Sequence, residues 1–379
     1  MVKRQYQEGV RGIVDKEPQV ARVGSADSDR RGLRILMVGP LPPPQGGARV
    51  LFQEFVQELK SERLADVEVV RTWNPKSCLP RRVIAAAVAA WKILRTAGSC
   101  DVVAFWGSDH GTVLFSPVLR MLASITRTPW IIRLFGGSFD LACERAGPIQ
   151  RAWIRKMLSS ATLVMLETRY LVRYCQERFP SARVAWHSNG RQEGMAVGAR
   201  QGPCRRFVYL GKVKKTKGVL DLAAAAERFP EGEVAVDVYG PFDEGLSALS
   251  FDAYRNTRYR GILASHEIRD TLLNYDALVL PTFYEGEGYP GVIIEAYAAG
   301  LPVIATDWRA IPEIVSEDCG ILVPARDVDA LFGAMKSLVD DVPRYRSLSE
   351  KALRRNEEFS LTRWAREFVM LCGKAVETR

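Results

Sequence analysis

Histidine is scarce and cysteine follows no pattern in this chain of 379 residues. There are three histidines, and none of the seven cysteines forms a C-x-x-C pair. A metal site built on histidine or on paired cysteines is therefore not expected. We predict no metal and no other cofactor. An odd number of scattered cysteines is typical of reduced thiols in a cytoplasmic protein.

Long apolar runs are also missing. No stretch approaches the ~20 apolar residues that cross a membrane. Residues Met1 to Arg30 are polar and lack the apolar centre of a signal peptide, so we expect a disordered tail there. A content of 47% apolar and 26% charged residues is typical of a soluble globular protein. The length predicts two domains.

Positive charge is concentrated in the first half of the chain. Residues 31–195 contain 23 lysines and arginines against 12 acidic residues, a net charge of +11, whereas residues 196–379 carry a net charge of −3. Nucleic acid and an anionic membrane surface are both candidate partners of the basic half. A basic surface that only faces solvent is the third alternative.

The first unit of the chain reads as a strand, a glycine-containing loop and a helix. Leu33 to Val38 is an apolar run, and Gly46 and Gly47 open a helix with apolar residues at helical spacing. This order is that of a Rossmann-like unit, but no G-x-G-x-x-G motif is present, so NAD is not expected. Four more apolar runs predict strands of a parallel sheet at 67–70, 102–105, 130–134 and 163–166.

Residues 79–98 predict an apolar helix with basic ends. It carries Arg81, Arg82, Lys92 and Arg95 and is too short to span a membrane. One interpretation is a core helix. The other is an interfacial helix whose cations meet anionic lipid headgroups.

A second pattern lies between Tyr275 and Pro312. Ala277 to Leu280 predicts a buried strand, and a turn rich in glycine follows it. Pro290 stands at a helix start, Gly300 closes that helix, and Leu301 to Ala305 predicts the next strand. A helix start after a glycine turn is an anion site suited to a phosphate.

Two carboxylates accompany this anion site. Glu287 lies before the helix and Glu295 lies eight residues later, inside it. Ionised carboxylates accept strong hydrogen bonds from paired hydroxyls. A ligand with a central diphosphate and diols at both ends fits this arrangement, and a nucleotide-sugar has that layout. A plain strand–helix–strand unit with a solvated acidic turn explains Glu285 better.

The run E-G-Y-P-G-V-I-I-E, followed by A-A-G-L-P-V-I-A-T and P-E-I-V, resembles the E-x7-E signature of the family 4 retaining glycosyltransferases. The resemblance implies the GT-B fold, in which two Rossmann-like domains with parallel sheets face each other across a cleft. It implies that Glu295 holds the nucleotide ribose and that Glu287 contacts hydroxyls of the donor sugar. It also implies donor contacts at Gly288 and from the backbone at Tyr289, Pro290, Gly291 and Val292.

The loop that begins at Gly211 extends this resemblance. Its sequence G-K-V-K-K-T-K-G is similar to the G-R-x(n)-K-G loop of the family, with Lys212 in the arginine position. The resemblance implies that Lys212 and Lys217 clamp the donor diphosphate, where fixed cations stabilise the charge of the leaving group. Together with Glu287, these lysines are the predicted catalytic residues. Gly46 and Gly47 are implied to touch the donor from across the cleft.

Acceptor-side candidates lie in the first half. Gly136, Gly137 and Asp140 follow a predicted strand, and His110 follows another. Many relatives have a histidine in the first of these turns, where this chain has Phe135. Asp140 or His110 would serve near the acceptor hydroxyl, or each is a local turn or cap residue.

The resulting hypothesis has four segments and one activity. Residues 1–30 are a tail, 31–195 an acceptor domain, 200–358 a nucleotide-sugar domain, and 359–379 a helix returning to the first domain. The resemblance implies transfer of a sugar, with retention and without metal, from a nucleotide-diphospho-sugar to a lipid-linked or growing polysaccharide acceptor. A bacterial surface polysaccharide assembled at the inner membrane face fits this activity, and no nucleic-acid partner is expected. The alternatives are a nucleotide-sugar hydrolase or epimerase on the same fold, and a non-catalytic nucleic-acid or anion binder.

Overall fold

The computed structural model describes residues 32–42, 47–72, 79–192, 198–243 and 245–377. The predicted tail and Gly46 lie outside the described residues. The described chain forms two separate six-stranded sheets, and all strand pairs in both are parallel. The prediction of two Rossmann-like sheets is therefore confirmed.

The first sheet has the strand order β2-β1-β3-β4-β5-β6. Its four inner strands, β1, β3, β4 and β5, are largely apolar and buried, as expected of a parallel sheet between helices. The six strands are β1 (Arg34–Gly39), β2 (Asp66–Arg71), β3 (Val102–Ser108), β4 (Trp130–Phe135), β5 (Leu163–Leu166) and β6 (Val184–Trp186).

Six α-helices connect these strands within the described residues. The helix predicted over 79–98 is observed as Leu79–Thr96. In chain order the helices are α1 (Gly47–Ser61), α2 (Leu79–Thr96), α3 (Asp109–Thr126), α4 (Phe139–Arg145), α5 (Pro148–Ser160) and α6 (Arg169–Arg178). The side chain of Thr168 caps α6 by accepting the amide of Leu171.

The second sheet has the order β12-β11-β10-β7-β8-β9. Its strands are β7 (Arg206–Leu210), β8 (Ala235–Tyr239), β9 (Thr257–Gly261), β10 (Ala277–Leu280), β11 (Val303–Thr306) and β12 (Gly320–Val323). Its helices are α7 (Val219–Ala226), α8 (Ile268–Leu272), α9 (Gly291–Ala298), α10 (Ile311–Ile314), α11 (Val328–Asp340) and α12 (Val342–Asn356). One continuous apolar core lies within this half.

The last helix, α13 (Leu361–Glu377), packs on the first sheet. Its residues Leu361, Ala365 and Phe368 share a buried cluster with Phe52 and Phe55 of α1. The chain therefore passes between the halves at two places, near Gly190 and near Ser360. These two passages are hydrogen-bonded to each other, because the Arg191 amide donates to Phe359 O and the Leu361 amide donates to Arg191 O, each at 2.9 Å.

Candidate functional site

Loops that follow strands of the two sheets touch each other. Gly137, after β4, lies so close to the segment after β10 that an added Cβ would stand 1.9 Å from Glu287 O. In doubly wound sheets, ligands bind beyond the carboxyl ends of the strands. The predicted donor and acceptor residues therefore lie at one cleft, and the cleft is closed at this point.

The segment between β10 and α9 has the predicted form of strand, turn and helix. Pro290 is the N-cap residue, with φ −66°, and Gly291 is the first residue of α9. The N-cap residue offers no side-chain acceptor to this helix start, so the amides of its first turn are potential donors to a ligand. Gly288 has no room for a side chain, since a Cβ there would lie 1.9 Å from Glu167 Oε1. Close packing against the first sheet explains why glycine is needed at that position.

Lys217 and Glu287 form an ion pair in this segment. The Lys217 ammonium donates to Glu287 Oε2 at 2.5 Å, and the Thr282 hydroxyl donates to the same oxygen at 2.7 Å. Glu287 is buried. Gly218, which follows the lysine, has a left-handed φ of +68°. The structure thus brings the predicted phosphate cation to the predicted sugar carboxylate.

Two predicted donor residues remain apart from this pair. Lys212 is exposed, and only its backbone oxygen has a protein partner, the hydroxyl of Tyr209 at 2.7 Å, within the part of the chain that is described. Gly47 is the exposed first residue of α1, and a Cβ added to it would have no atom of the described residues within 4 Å. The structure therefore does not bring Lys212 or Gly47 into contact with Glu287.

Glu295 lies in the second turn of α9 and is paired with an arginine that the sequence did not single out. Arg191 Nε donates to Glu295 Oε1 at 3.0 Å, and the two side chains are 19% and 23% exposed. Arg191 Nη2 lies beside Gly291, only 1.9 Å from where a Cβ would be. A cation therefore stands next to the first residue of α9.

Tyr289 connects the turn to the first half of the chain. Its amide donates to Glu167 Oε1 at 3.4 Å, and its hydroxyl donates to Glu313 Oε2 at 2.7 Å. Glu313 in turn accepts the amides of Arg169 and Tyr170 at the start of α6, each at 2.7 Å. A carboxylate from the second half therefore occupies a helix N-terminus of the first half, where negative charge is favoured. Burial raises the pKa of the Glu313 carboxyl.

Asp140, a predicted acceptor-side residue, is buried and already paired. It accepts Arg309 Nη2 at 2.6 Å and the Tyr170 hydroxyl at 2.7 Å. Arg309 also donates to the Gly137 carbonyl. Arg309 adopts a left-handed φ of +51°, which is uncommon outside glycine. In this conformation Asp140 links the two halves. His110 is the second residue of α3, and Gly136 has φ +109°.

Phe135, at the end of β4, stacks on a buried arginine. The guanidinium of Arg133 lies 4.6 Å from the ring centres of both Phe135 and Trp106. It donates to His187 Nδ1 at 2.9 Å, to Ser188 O at 3.0 Å and to Asn189 Oδ1 at 2.9 Å. Burial lowers the pKa of Arg133 to about 10, so the side chain remains a cation at neutral pH.

His187 and Glu167 complete this buried network. Because His187 Nδ1 accepts from Arg133, its proton lies on Nε2, which donates to Trp364 O at 2.9 Å. Burial and the charge of Arg133 lower the pKa of His187 well below its ordinary value, so it is neutral. Glu167 accepts Asn189 Nδ2 at 3.0 Å, and its burial raises its pKa. These contacts give His187 a structural role in the network.

Four charged residues at the cleft had no role assigned from sequence, namely Glu167, Arg191, Arg309 and Glu313. Glu167 directly follows the apolar strand β5, and Arg309 follows β11 by three positions. A charged residue just beyond a buried strand is a signal that sequence reading can use. Each of the four has at least one partner more than 100 residues away in the chain, and sequence periodicity does not reveal such a pair.

Among the described residues, no group of three or more His, Cys, Asp or Glu side chains is placed to hold a metal ion. Of the helices that the structure describes, none is long and apolar enough to cross a membrane.

Comparisons with known proteins agree on one family. The sequence model of the family described as "Glycosyl transferases group 1" matches residues 204–341. The alpha-maltose-1-phosphate synthase of Mycolicibacterium smegmatis is 34% identical over 88% of this chain and 96% of its own length. The putative teichuronic acid biosynthesis glycosyltransferase TuaC of Bacillus subtilis is 33% identical over 132 residues. The matched segment covers 35% of this chain and 32% of the length of TuaC.

Solved structures share the architecture. Sucrose-phosphate synthase from Thermosynechococcus elongatus matches 92% of this chain and all of that structure, with a TM-score of 0.71 and 15% identity. Anabaena HepE in complex with UDP matches 90% of this chain and all of that structure, with a TM-score of 0.68 and 16% identity. Because the sequence identities are only 15% and 16%, these structures show the fold of the chain and nothing more. That fold is the predicted GT-B arrangement.

Proposed function

Because this chain belongs to the group 1 glycosyltransferases, we propose that it moves a sugar from a nucleotide-diphospho-sugar to a lipid-linked or growing polysaccharide acceptor. The observation that carries this proposal is the convergence of Lys217, Glu287 and the first turn of α9 beyond the second sheet. Residues 200–358 then form the donor domain and residues 31–195 the acceptor domain. Residues 359–379 return to the latter.

The donor would lie across the start of α9. Its diphosphate would accept the amides of the first turn, at Gly291 and Val292, where the helix dipole favours negative charge. Its ribose hydroxyls would donate to Glu295. Lys217 is held by Glu287 in the described conformation and has three ammonium hydrogens, so it can contact a phosphate oxygen while it keeps that carboxylate in place.

The transfer would proceed with retention and without a bound metal, as in the family 4 enzymes that the sequence resembles. The bond between the sugar C1 and the phosphate oxygen breaks, and the acceptor hydroxyl forms a new bond to C1 on the same face. The acceptor proton passes to the leaving phosphate, which gives a nucleoside diphosphate and the glycoside. Lys217 and Lys212 would stabilise the negative charge of the leaving group, and Glu287 would orient the sugar.

The acceptor half carries a surface that suits a membrane-bound acceptor. Helices α2, α3 and α5 expose large apolar side chains, with Ile84 at 64%, Trp91 at 55% and Ile125 at 57% exposure, together with Met121, Ile149 and Trp153. Cations flank the two tryptophans, since Arg95 lies 5.2 Å from the Trp91 ring and Lys156 lies 5.5 Å from the Trp153 ring. Such a combination is typical of interfacial helices on anionic lipid.

We therefore propose that the enzyme acts at the cytoplasmic face of the membrane, in bacterial surface polysaccharide biosynthesis. The relative TuaC is described as a teichuronic acid biosynthesis glycosyltransferase, which supports this assignment. Sedimentation with phosphatidylglycerol vesicles at low salt tests it. Replacing Trp91 and Trp153 with serine should abolish binding, and the control Leu249→Ser, on an exposed residue of the other half, should not. Wild-type protein that stays in the supernatant would contradict the membrane assignment.

A titration tests the donor site. UDP, GDP and ADP are titrated separately by calorimetry into wild-type protein and into Glu295→Ala. We expect one nucleotide to bind, and the variant to lose most of that binding. Incubation of the matching nucleotide-sugar without acceptor then separates transfer from hydrolysis or epimerisation, because rapid product formation under those conditions indicates one of the latter. If no nucleotide binds and random oligonucleotides bind with a steep salt dependence, the glycosyl-transfer proposal is wrong.

A further inference from the structure

Arg191 is one of the cleft residues to which the proposed function gives no role. Its backbone is fixed where the chain passes between the halves, by hydrogen bonds to Phe359 and Leu361 and by a parallel bridge to Ser360. Gly190 has no room for a side chain there, because a Cβ would lie 2.8 Å from Leu361 Cα. The side chain of Arg191 thus starts from a point that both passages hold in place.

The guanidinium reaches from that point to α9. Nε donates to Glu295 Oε1 at 3.0 Å, and Nη1 donates to Gly190 O at 3.2 Å. One end of the planar group is therefore bound to the backbone and the other to the carboxylate. Two such bonds fix the plane of a guanidinium far better than a single contact fixes an ammonium group.

One carboxylate oxygen remains open. Glu295 Oε1 is engaged by Arg191, whereas no protein donor to Oε2 is found in the ranges that the structure describes. The side chain is 23% exposed, so a ligand can reach it. Glu54 of α1 is a second carboxylate near this pair, because Arg191 lowers and Glu295 raises its pKa, although burial makes the net shift upward.

We propose that Arg191 is a donor-positioning residue that orients the Glu295 carboxylate, so that Oε2 accepts hydrogen bonds from the ribose hydroxyls of the nucleotide. This inference rests on the proposed function, in which Glu295 binds ribose. Arg191 acts through Glu295, and its contribution is to recognition of the sugar hydroxyls rather than to the charge of the diphosphate.

The test compares ribonucleotides with 2′-deoxyribonucleotides. Dissociation constants are measured by calorimetry for UDP, GDP and ADP and for dUDP, dGDP and dADP. Wild-type protein should prefer the ribose form of its nucleotide by about tenfold, as expected of a hydrogen bond to a charged group. Arg191→Ala should reduce that preference to about twofold or less, and Glu295→Gln should reduce it similarly. Arg191→Lys should recover only part of the preference, because lysine lacks the planar fork.

Two further variants separate positioning from a structural role. The double variant Arg191→Ala with Glu295→Gln should show no greater loss of ribose preference than Glu295→Gln alone, since the arginine acts through the carboxylate. Arg255→Ala breaks a comparable surface pair, Arg255 with Glu227 at 3.2 Å, and should keep the wild-type preference.

The outcomes distinguish the inference from the proposed function. Wild-type preference retained in Arg191→Ala overturns the inference, and so does an equal loss of ribose and deoxyribose binding, which indicates a phosphate contact or a folding defect. After either outcome the proposed function still stands if the wild type binds one of the nucleotides and loses its preference for ribose in Glu295→Gln. If the wild type binds none of the six nucleotides, the proposed function fails and the inference fails with it.

Discussion

Substitution of Gly137 by alanine should separate donor binding from transfer. The added Cβ would lie 1.9 Å from Glu287 O, 2.2 Å from Glu287 C and 2.4 Å from Gly288 N. All three atoms belong to the backbone of the segment between β10 and α9, so the clash cannot be relieved by the movement of a flexible side chain. Real Cβ atoms do not approach other atoms within 3.0 Å, and the two loops must therefore separate by about 1 Å.

A separation of this size acts on the reacting geometry. Glu287 belongs to the segment that is displaced, and its carboxylate is proposed to orient the donor sugar. A misplacement of about 1 Å in reacting groups costs about 10²-fold in rate. Nucleotide affinity should change less than about threefold, because Glu295, which is proposed to hold the ribose, lies inside α9 on the opposite half and is not among the residues that the added Cβ would meet.

The assay measures kcat/KM for release of nucleoside diphosphate from the donor identified by titration, beside the calorimetric affinity for the free nucleotide. Gly147→Ala is the matched control, since Gly147 has φ −69° and open space where the Cβ would be. Both variants are checked for unchanged urea unfolding. If Gly137→Ala keeps the wild-type kcat/KM, the reactive conformation does not require the contact between the two loops. If its nucleotide affinity falls as much as its kcat/KM, the nucleotide is not bound by the second half alone.

Three other substitutions have defined expectations. Lys217→Met should lower kcat roughly 10²–10³-fold, because it removes the cation next to Glu287. Single-turnover rates measure this effect, and an unchanged rate would show that the lysine does not stabilise the leaving group. Arg133→Met should reduce the free energy of unfolding by roughly 3–5 kcal/mol in urea titrations, because it leaves His187 Nδ1 and two oxygens buried without a donor; a loss under about 1 kcal/mol would contradict that account. Burial raises the pKa of Glu313 above its ordinary value of 4.5, so the folded state binds that proton more tightly than the unfolded state. Wild-type stability should therefore fall, relative to Glu313→Gln, as the pH rises from about 4.5 towards neutrality, and a parallel pH dependence of the two proteins would contradict this sign.

The sheets were accessible from sequence because their strands are short apolar runs bounded by glycine, proline or polar residues. Ala277–Leu280 and Leu163–Leu166 have the predicted limits. The helix after Pro290 was also predictable, since proline fixes the backbone angle of a helix start and Gly300 adopts the left-handed φ of +70° that ends it. Local chemistry determines each of these boundaries, so a local pattern is sufficient to find them.

The contacts across the cleft could not be predicted from the sequence in this way. Arg133 lies inside the run W-I-I-R-L-F, where its neighbours predict a strand but say nothing of the carbonyl groups it binds 55 residues later. Asp140 was a candidate acceptor residue because it follows a strand, but its partner Arg309 is 169 positions away. Which charges meet depends on the mutual placement of the two sheets, and no spacing within one segment encodes that placement.

Tyr289 is hydrogen-bonded to residues of the first half, and these bonds limit how a donor can reach its site. The Tyr289 amide, one of the groups proposed to contact the donor, is hydrogen-bonded to Glu167 in the described conformation, and the Tyr289 carbonyl accepts Asn189 at 3.4 Å. A carboxylate and a phosphate are both anionic acceptors, so they compete for the same amide. A donor that uses this amide must displace Glu167, which is 3% exposed and therefore inaccessible while the loops touch. Donor binding at Tyr289 thus requires an open cleft, and the contacts at Gly137 can form again only around the bound donor.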